Sequence, residues 1–172
     1  MTLEPSSYRR LGGKLIAATA ASLFGLLAFS SAPSAADNPF AQMVGNWTGS
    51  GMVTYSSGTK ERLRCKVKYD TNASDSIQQQ LRCASDSYKF QINAYYHYTA
   101  GNLSGHWDEL SLQISGSISG NVSDTGKITG NLHGPGFLAS VLVDTKGDQQ
   151  SVAIAAEDQE IKQVIVSVKR GN

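Results

Sequence analysis

Lys60-Glu61-Arg62-Leu63-Arg64-Cys65-Lys66-Val67-Lys68-Tyr69, followed by Ile77-Gln78-Gln79-Gln80-Leu81-Arg82-Cys83, decides how this chain folds. In the first run Leu63, Cys65, Val67 and Tyr69 take every second position. In the second, Ile77, Gln79, Leu81 and Cys83 do the same. Side chains on a strand alternate between faces, so a period of two marks a strand with one buried face. If Cys65 faces Cys83 in an antiparallel pair, Val67 faces Leu81 and Tyr69 faces Gln79. The turn then falls on Asn72-Ala73-Ser74-Asp75-Ser76, a polar loop of common hairpin length. Hairpin, alternation and a disulfide all agree. With no Cys-x-x-Cys and no histidine at ligand spacing, a redox or metal role for the two cysteines has little to stand on.

The same period continues on both sides. Trp47, Gly49, Gly51, Val53 and Tyr55 alternate before the hairpin. Tyr88, Phe90, Ile92, Ala94 and Tyr96 follow it, then Leu103, Gly105 and Trp107, then Ile114, Gly116, Ile118, Gly120 and Val122. Further runs begin at Ile128, Phe137, Val152 and Ile161, and Gly-, Asn- and Asp-containing turn signals separate them. No convincing helix period is present. So many short strands with one apolar face each are best satisfied by closing the sheet on itself. The expected fold is all-β, a single antiparallel up-and-down β-barrel of about eight to ten strands, with a two-sheet sandwich as the alternative. Asn38 as cap and Pro39 at the first helical position predict a short helical turn before the first strand.

Residues 1–36 read differently. Arg9, Arg10 and Lys14 precede a 15-residue apolar run, Leu15–Phe29, and small residues then lead to a cut before Asp37. That is the pattern of a cleaved signal peptide, and the run is short of the ~20 residues a membrane-spanning helix needs. The expected location is periplasmic or secreted, in a bacterium, where a disulfide persists. Residues 37–172 form one domain. Removing three cations and Glu4 from the 15 Lys+Arg and 14 Asp+Glu leaves 12 against 13. That balance excludes the usual strongly basic nucleic-acid binder, and 40% apolar residues exclude a disordered chain.

Gly45-Asn46-Trp47-Thr48-Gly49-Ser50-Gly51, a Gly-x-Trp-x-Gly-x-Gly segment opening the first strand, resembles the calycin group: lipocalins, fatty-acid-binding proteins and nitrobindin-like barrels. The resemblance implies a short helix closing the barrel base and a Trp packed against an Arg at the barrel's end. Trp47 and Arg170 are the residues here that could fill those roles. It also implies a small-molecule cavity. Nitrobindin-like proteins bind haem through a late histidine; the histidines here are His97, His106 and His133, so haem does not carry over. No cofactor is expected.

Trp47, Tyr88, Phe90, Tyr96 and Trp107 are candidate lining for such a cavity, with phenols as polar fixing points. Glu109 follows Trp107 on the face assigned to the interior, where a carboxylate needs a partner, a water or a ligand. Ser104, His106 and Asp108 share the other face, but same-face neighbours stand about 7 Å apart, so a catalytic triad is not expected there. The alternative is a packed core. In that case the surface does the work: Lys60, Arg62, Arg64, Lys66 and Lys68, with Arg82 opposite Lys66, form a cationic hairpin face suited to an acidic protein or anionic surface. The expected function is therefore an exported binding protein for a small apolar or amphipathic molecule, not an enzyme. A protein-interaction barrel acting through its basic hairpin is the second expectation.

Overall fold

The computed structural model describes residues 38–171; the signal segment and its cut site lie outside them. Ten strands run in chain order: β1 (Gly45–Tyr55), β2 (Lys60–Ala73), β3 (Ser76–Ala84), β4 (Lys89–Thr99), β5 (Asn102–Glu109), β6 (Ile114–Val122), β7 (Ile128–Gly134), β8 (Phe137–Lys146), β9 (Gln149–Ala156) and β10 (Ile161–Arg170). Each pairs antiparallel with its sequence neighbour, and β1 also pairs with β10, so the sheet closes without an edge. The barrel is up-and-down, as the alternation implies, and the sandwich alternative is excluded.

The Cys65–Cys83 disulfide is formed. Cys65 faces Cys83, Val67 faces Leu81 and Tyr69 faces Gln79, the register expected from the sequence. The loop differs. A register shift between Asp70 and Ala73 lets the strands run on, so that Ala73 pairs with Ser76 and the turn narrows to Ser74 and Asp75. Thr71 supplies the reason: its hydroxyl lies 2.5 Å from Ala73 O and 2.6 Å from Ser76 O, holding both strands at a bulge.

Inward positions of β1 carry glycine where β10 approaches closely. A Cβ added to Gly49 would lie 2.0 Å from the Ser167 carbonyl oxygen, so no larger residue fits that bend. The segment before β1 forms successive hydrogen-bonded turns rather than a helix, with Ala41 N–H on Asn38 O and Met43 N–H on Phe40 O. Asn38 caps it as expected, its Oδ1 accepting the Phe40 N–H at 2.9 Å. Phe40 and Met43 are fully buried there. Among the described residues, no helix is long and apolar enough to cross a membrane.

Candidate functional site

One end of the barrel is sealed. Trp47 has no exposed surface, and its indole Nε1 donates to Met43 O at 2.7 Å. Arg170 pairs with Trp47 across β1 and β10, its guanidinium carbon 4.4 Å from the ring centroid. The same guanidinium donates to Val44 O, to Gln42 O at 2.5 Å and to Asp148 Oδ1 at 3.0 Å. The Trp–Arg pair is therefore built as the Gly-x-Trp resemblance implies. It also moves Trp47 off the cavity lining: the indole is spent on closing the base.

Above this seal a line of polar side chains crosses the interior. Tyr96 Oη donates to Gln79 Oε1 at 2.5 Å, and Gln79 Nε2 donates to Tyr69 Oη at 3.1 Å. Tyr69 Oη donates to Gln150 Oε1 at 3.0 Å, and Gln150 Nε2 to Thr145 Oγ1 at 2.9 Å. Tyr69 on β2 and Gln150 on β9 are separated around the ring by β1 and β10, so this bond spans the lumen. Tyr69, Thr145 and Gln150 are each 2% exposed. Burial pushes the Tyr69 and Tyr96 phenols well above the usual tyrosine range. Bonds from Gln79 and to Gln150 offset only part of that for Tyr69, so both are neutral at any physiological pH. Among the described residues, every buried side-chain nitrogen and oxygen has a hydrogen-bond partner.

The half beyond this polar line is mixed: Val53, Leu63, Cys65 and Val141 are buried there. Leu81, Phe90, Leu132, Val143, Val152 and Ile154 point inward yet are only half-buried. A ten-stranded ring is wider than the eight-stranded one that side chains just fill, and these inward apolar faces keep part of their surface exposed. Trp107 is buried beside them. Its ring lies over Gly116, where a Cβ would come within 2.5 Å of the indole, and 5.9 Å from the Phe137 ring, and its Nε1 donates to Ser117 O. Phe90 and Trp107 thus lie in this half of the interior, and Tyr96 stands at its border.

One proposed lining residue sits elsewhere, and another is inward but already occupied. Tyr88 belongs to the turn before β4 and not to the strand, because Ser85 and Tyr88 close a hydrogen-bonded turn. It is 41% exposed at the rim, its ring 6.5 Å from that of Tyr55. Glu109 is inward and 6% exposed, at the end of β5. Its carboxylate accepts the Gln91 N–H at 2.9 Å and the Leu112 N–H at 2.5 Å, holding the β5–β6 connection. Desolvation pushes its pKa up, but the backbone bonds from Gln91, Leu112 and Ser111 outweigh that and lower it below the usual range. Its partners are backbone amides, so it is not a free fixing point.

On the outer face, Lys60, Arg62, Arg64, Lys66, Lys68 and Arg82 are all exposed, and Lys66 faces Arg82 across β2 and β3. Lys68 pairs with Asp70 at 2.8 Å. His106 and Asp108 are in direct contact at 3.0 Å, closer than backbone spacing suggests. The contact is exposed to solvent. Tyr96 faces in while Tyr95 and His97 face out. Sequence reasoning passed over Gln150 and Thr145, and did not weigh Tyr69 and Gln79 as site residues. The signal was available: each is a polar side chain at an inward position of a period-two run.

No family model matches the chain, and no curated protein matches it. Among solved structures it is similar to Rv2717c from M. tuberculosis, with a TM-score of 0.67 and 14% identity over 81% of this chain and 99% of that one. It is also similar to the S-type phycobiliprotein lyase CPES from Guillardia theta, with a TM-score of 0.57 and 11% identity over 77% and 90%. Both neighbours are β-barrel proteins. At such identities the likeness is one of fold.

Proposed function

We propose that this chain is an exported, calycin-like carrier that takes a small apolar or amphipathic molecule into the open half of its barrel, without chemistry. The observation that carries this is the set of inward yet half-buried apolar side chains, Leu81, Phe90, Val152 and Ile154 among them, above a sealed base. An apolar surface already shaped and only partly dry is what a hydrophobic ligand needs. The Trp47–Arg170 closure supports the calycin reading, and the disulfide supports export. The test is titration with N-phenyl-1-naphthylamine, a neutral dye that brightens on leaving water. Saturable, blue-shifted emission at about one dye per barrel is expected. Emission that rises without saturation overturns the carrier. Native and denatured masses of the exported protein would then give the mass of any resident ligand.

A second reading rests on the outer face. Met52 and Ile165, 41% and 47% exposed, pair across β1 and β10, and Met52 faces Arg62 on β2. An apolar strip beside the cationic ladder suits an acidic protein partner better than solvent alone. Reversing Arg62, Arg64 and Lys66 together should abolish such binding; unchanged binding removes this second reading.

A further inference from the structure

We propose, resting on the carrier reading above, that the barrel selects neutral ligands bearing a hydrogen-bond donor and turns away carboxylates and other anions. The polar line across the lumen has a direction. The 2.5 Å separation between Tyr96 Oη and Gln79 Oε1 fits O–H···O, whereas the 3.1 Å separation between Gln79 Nε2 and Tyr69 Oη fits N–H···O. The Gln79 amide turns its oxygen to Tyr96 and its nitrogen to Tyr69, and each following link passes a donor to the next acceptor until Thr145. Tyr96 heads the line. Its one proton is committed to Gln79, so its oxygen offers a lone pair, and a hydroxyl or N–H on a ligand is the matching group. Gln79 and Tyr96 are also the half-buried members of the line, at its border with the apolar half.

Charge on the barrel supports the same choice. Among the described residues every lysine, arginine and histidine is exposed except Arg170. Arg170 is held at the sealed end by Trp47, Val44, Gln42 and Asp148. An anion entering the lumen would lose its water and meet no countercharge. At the open rim it would meet both signs of charge, Glu61 and Glu109 beside Lys60, Lys89 and Lys162, so the choice is made inside the lumen and not at its mouth. The phenol of Tyr96, kept neutral by burial, cannot add a charge of its own.

Competition against N-phenyl-1-naphthylamine on the disulfide-bonded protein tests this with three matched chains: dodecan-1-ol, dodecyl methyl ether and dodecanoic acid. The alcohol should bind about fivefold more tightly than the ether, the worth of one neutral hydrogen bond. At pH 8 the ionised acid should bind at least about tenfold more weakly than the alcohol, and recover as the pH falls to 5 and its carboxyl takes up a proton. Tyr96→Phe should bring the alcohol-to-ether ratio close to one. Equal binding of alcohol and ether to the unaltered protein overturns the proposal, as does dodecanoate at pH 8 binding as well as the alcohol. Those results leave the carrier standing. Failure of the dye itself to bind saturably removes the carrier and this selectivity together.

Discussion

Arg170 does three things at once, and its position explains why one side chain at the end of the last strand governs the closed end. Its guanidinium covers the Trp47 ring and donates to the carbonyls of Val44 and Gln42, tying the turns before β1 to the strand that closes the barrel. A planar fork is needed for that combination, which an ammonium does not supply. Arg170→Ala should therefore lower the unfolding free energy by about 3 kcal/mol, from a lost cation–π contact and charge-assisted bonds. Arg170→Lys should recover less than half of it. Urea titration measures both, and a loss under 1 kcal/mol would mean the plug holds itself. The buried phenols give a residue-scale pH signature. Tyr69 and Tyr96 have folded pKa values raised above those of the unfolded chain, chiefly by desolvation. Their stabilisation is complete below the unfolded value, about 10, and is lost progressively as the pH climbs from there towards the raised folded values. The thermal midpoint should thus fall steeply above pH 10. In Tyr69→Phe and Tyr96→Phe the fall should be shallower; an unaltered slope in both would show that other groups set it.

At the scale of elements, the β2–β3 hairpin was readable because two independent constraints met in it. The period of two gives each strand a face, and the cysteines choose the register from among those the faces allow. The result is Cys65 opposite Cys83 with their Cα atoms 4.2 Å apart, the close spacing of a pair without mutual backbone bonds. The bridge closes a loop of 18 residues in sequence. Cys65→Ala with Cys83→Ala should cost about 3 kcal/mol, mostly by freeing the unfolded chain. Unfolding with and without reductant checks this, and a cost near zero would show that strand pairing alone constrains the hairpin. What the period could not show was its local failure at Thr71. There one hydroxyl shares its single proton between two carbonyls at a bulge, a choice made by one side chain and not by a pattern. Tyr88 was misread for a related reason. Its spacing matches β4, yet the Ser85 hydroxyl accepts its N–H and bends the chain into a turn first.

For the whole molecule, closure into ten strands followed from the count of faces needing burial, and the Gly-x-Trp segment located the sealed end. The polar line was harder to see. Gln79, Gln150 and Thr145 look like lapses in an apolar face until Tyr69 and Tyr96 are placed beside them by strands far apart in sequence. The line also divides the barrel mechanically. Below it Phe40, Trp47, Ile77, Leu103 and Val168 are at most 3% exposed, so opening this end means breaking the whole fold. Above it buried residues such as Leu63 and Val141 alternate around the ring with inward apolar residues that are only half-buried, Leu81, Phe90, Val152 and Ile154 among them. Hydrogen exchange should accordingly show slow, globally limited amides near Trp47, Tyr69 and Gln150. Faster, sub-global exchange is expected near Phe90, Phe137 and Ile161. Saturating N-phenyl-1-naphthylamine should slow only the second group, because a ligand can stabilise only the conformations it contacts. Slowing of both groups alike would place the dye on the global folding equilibrium. Slowing confined to β1 and β2 at the outer face would put it on the Met52 strip instead of inside the barrel.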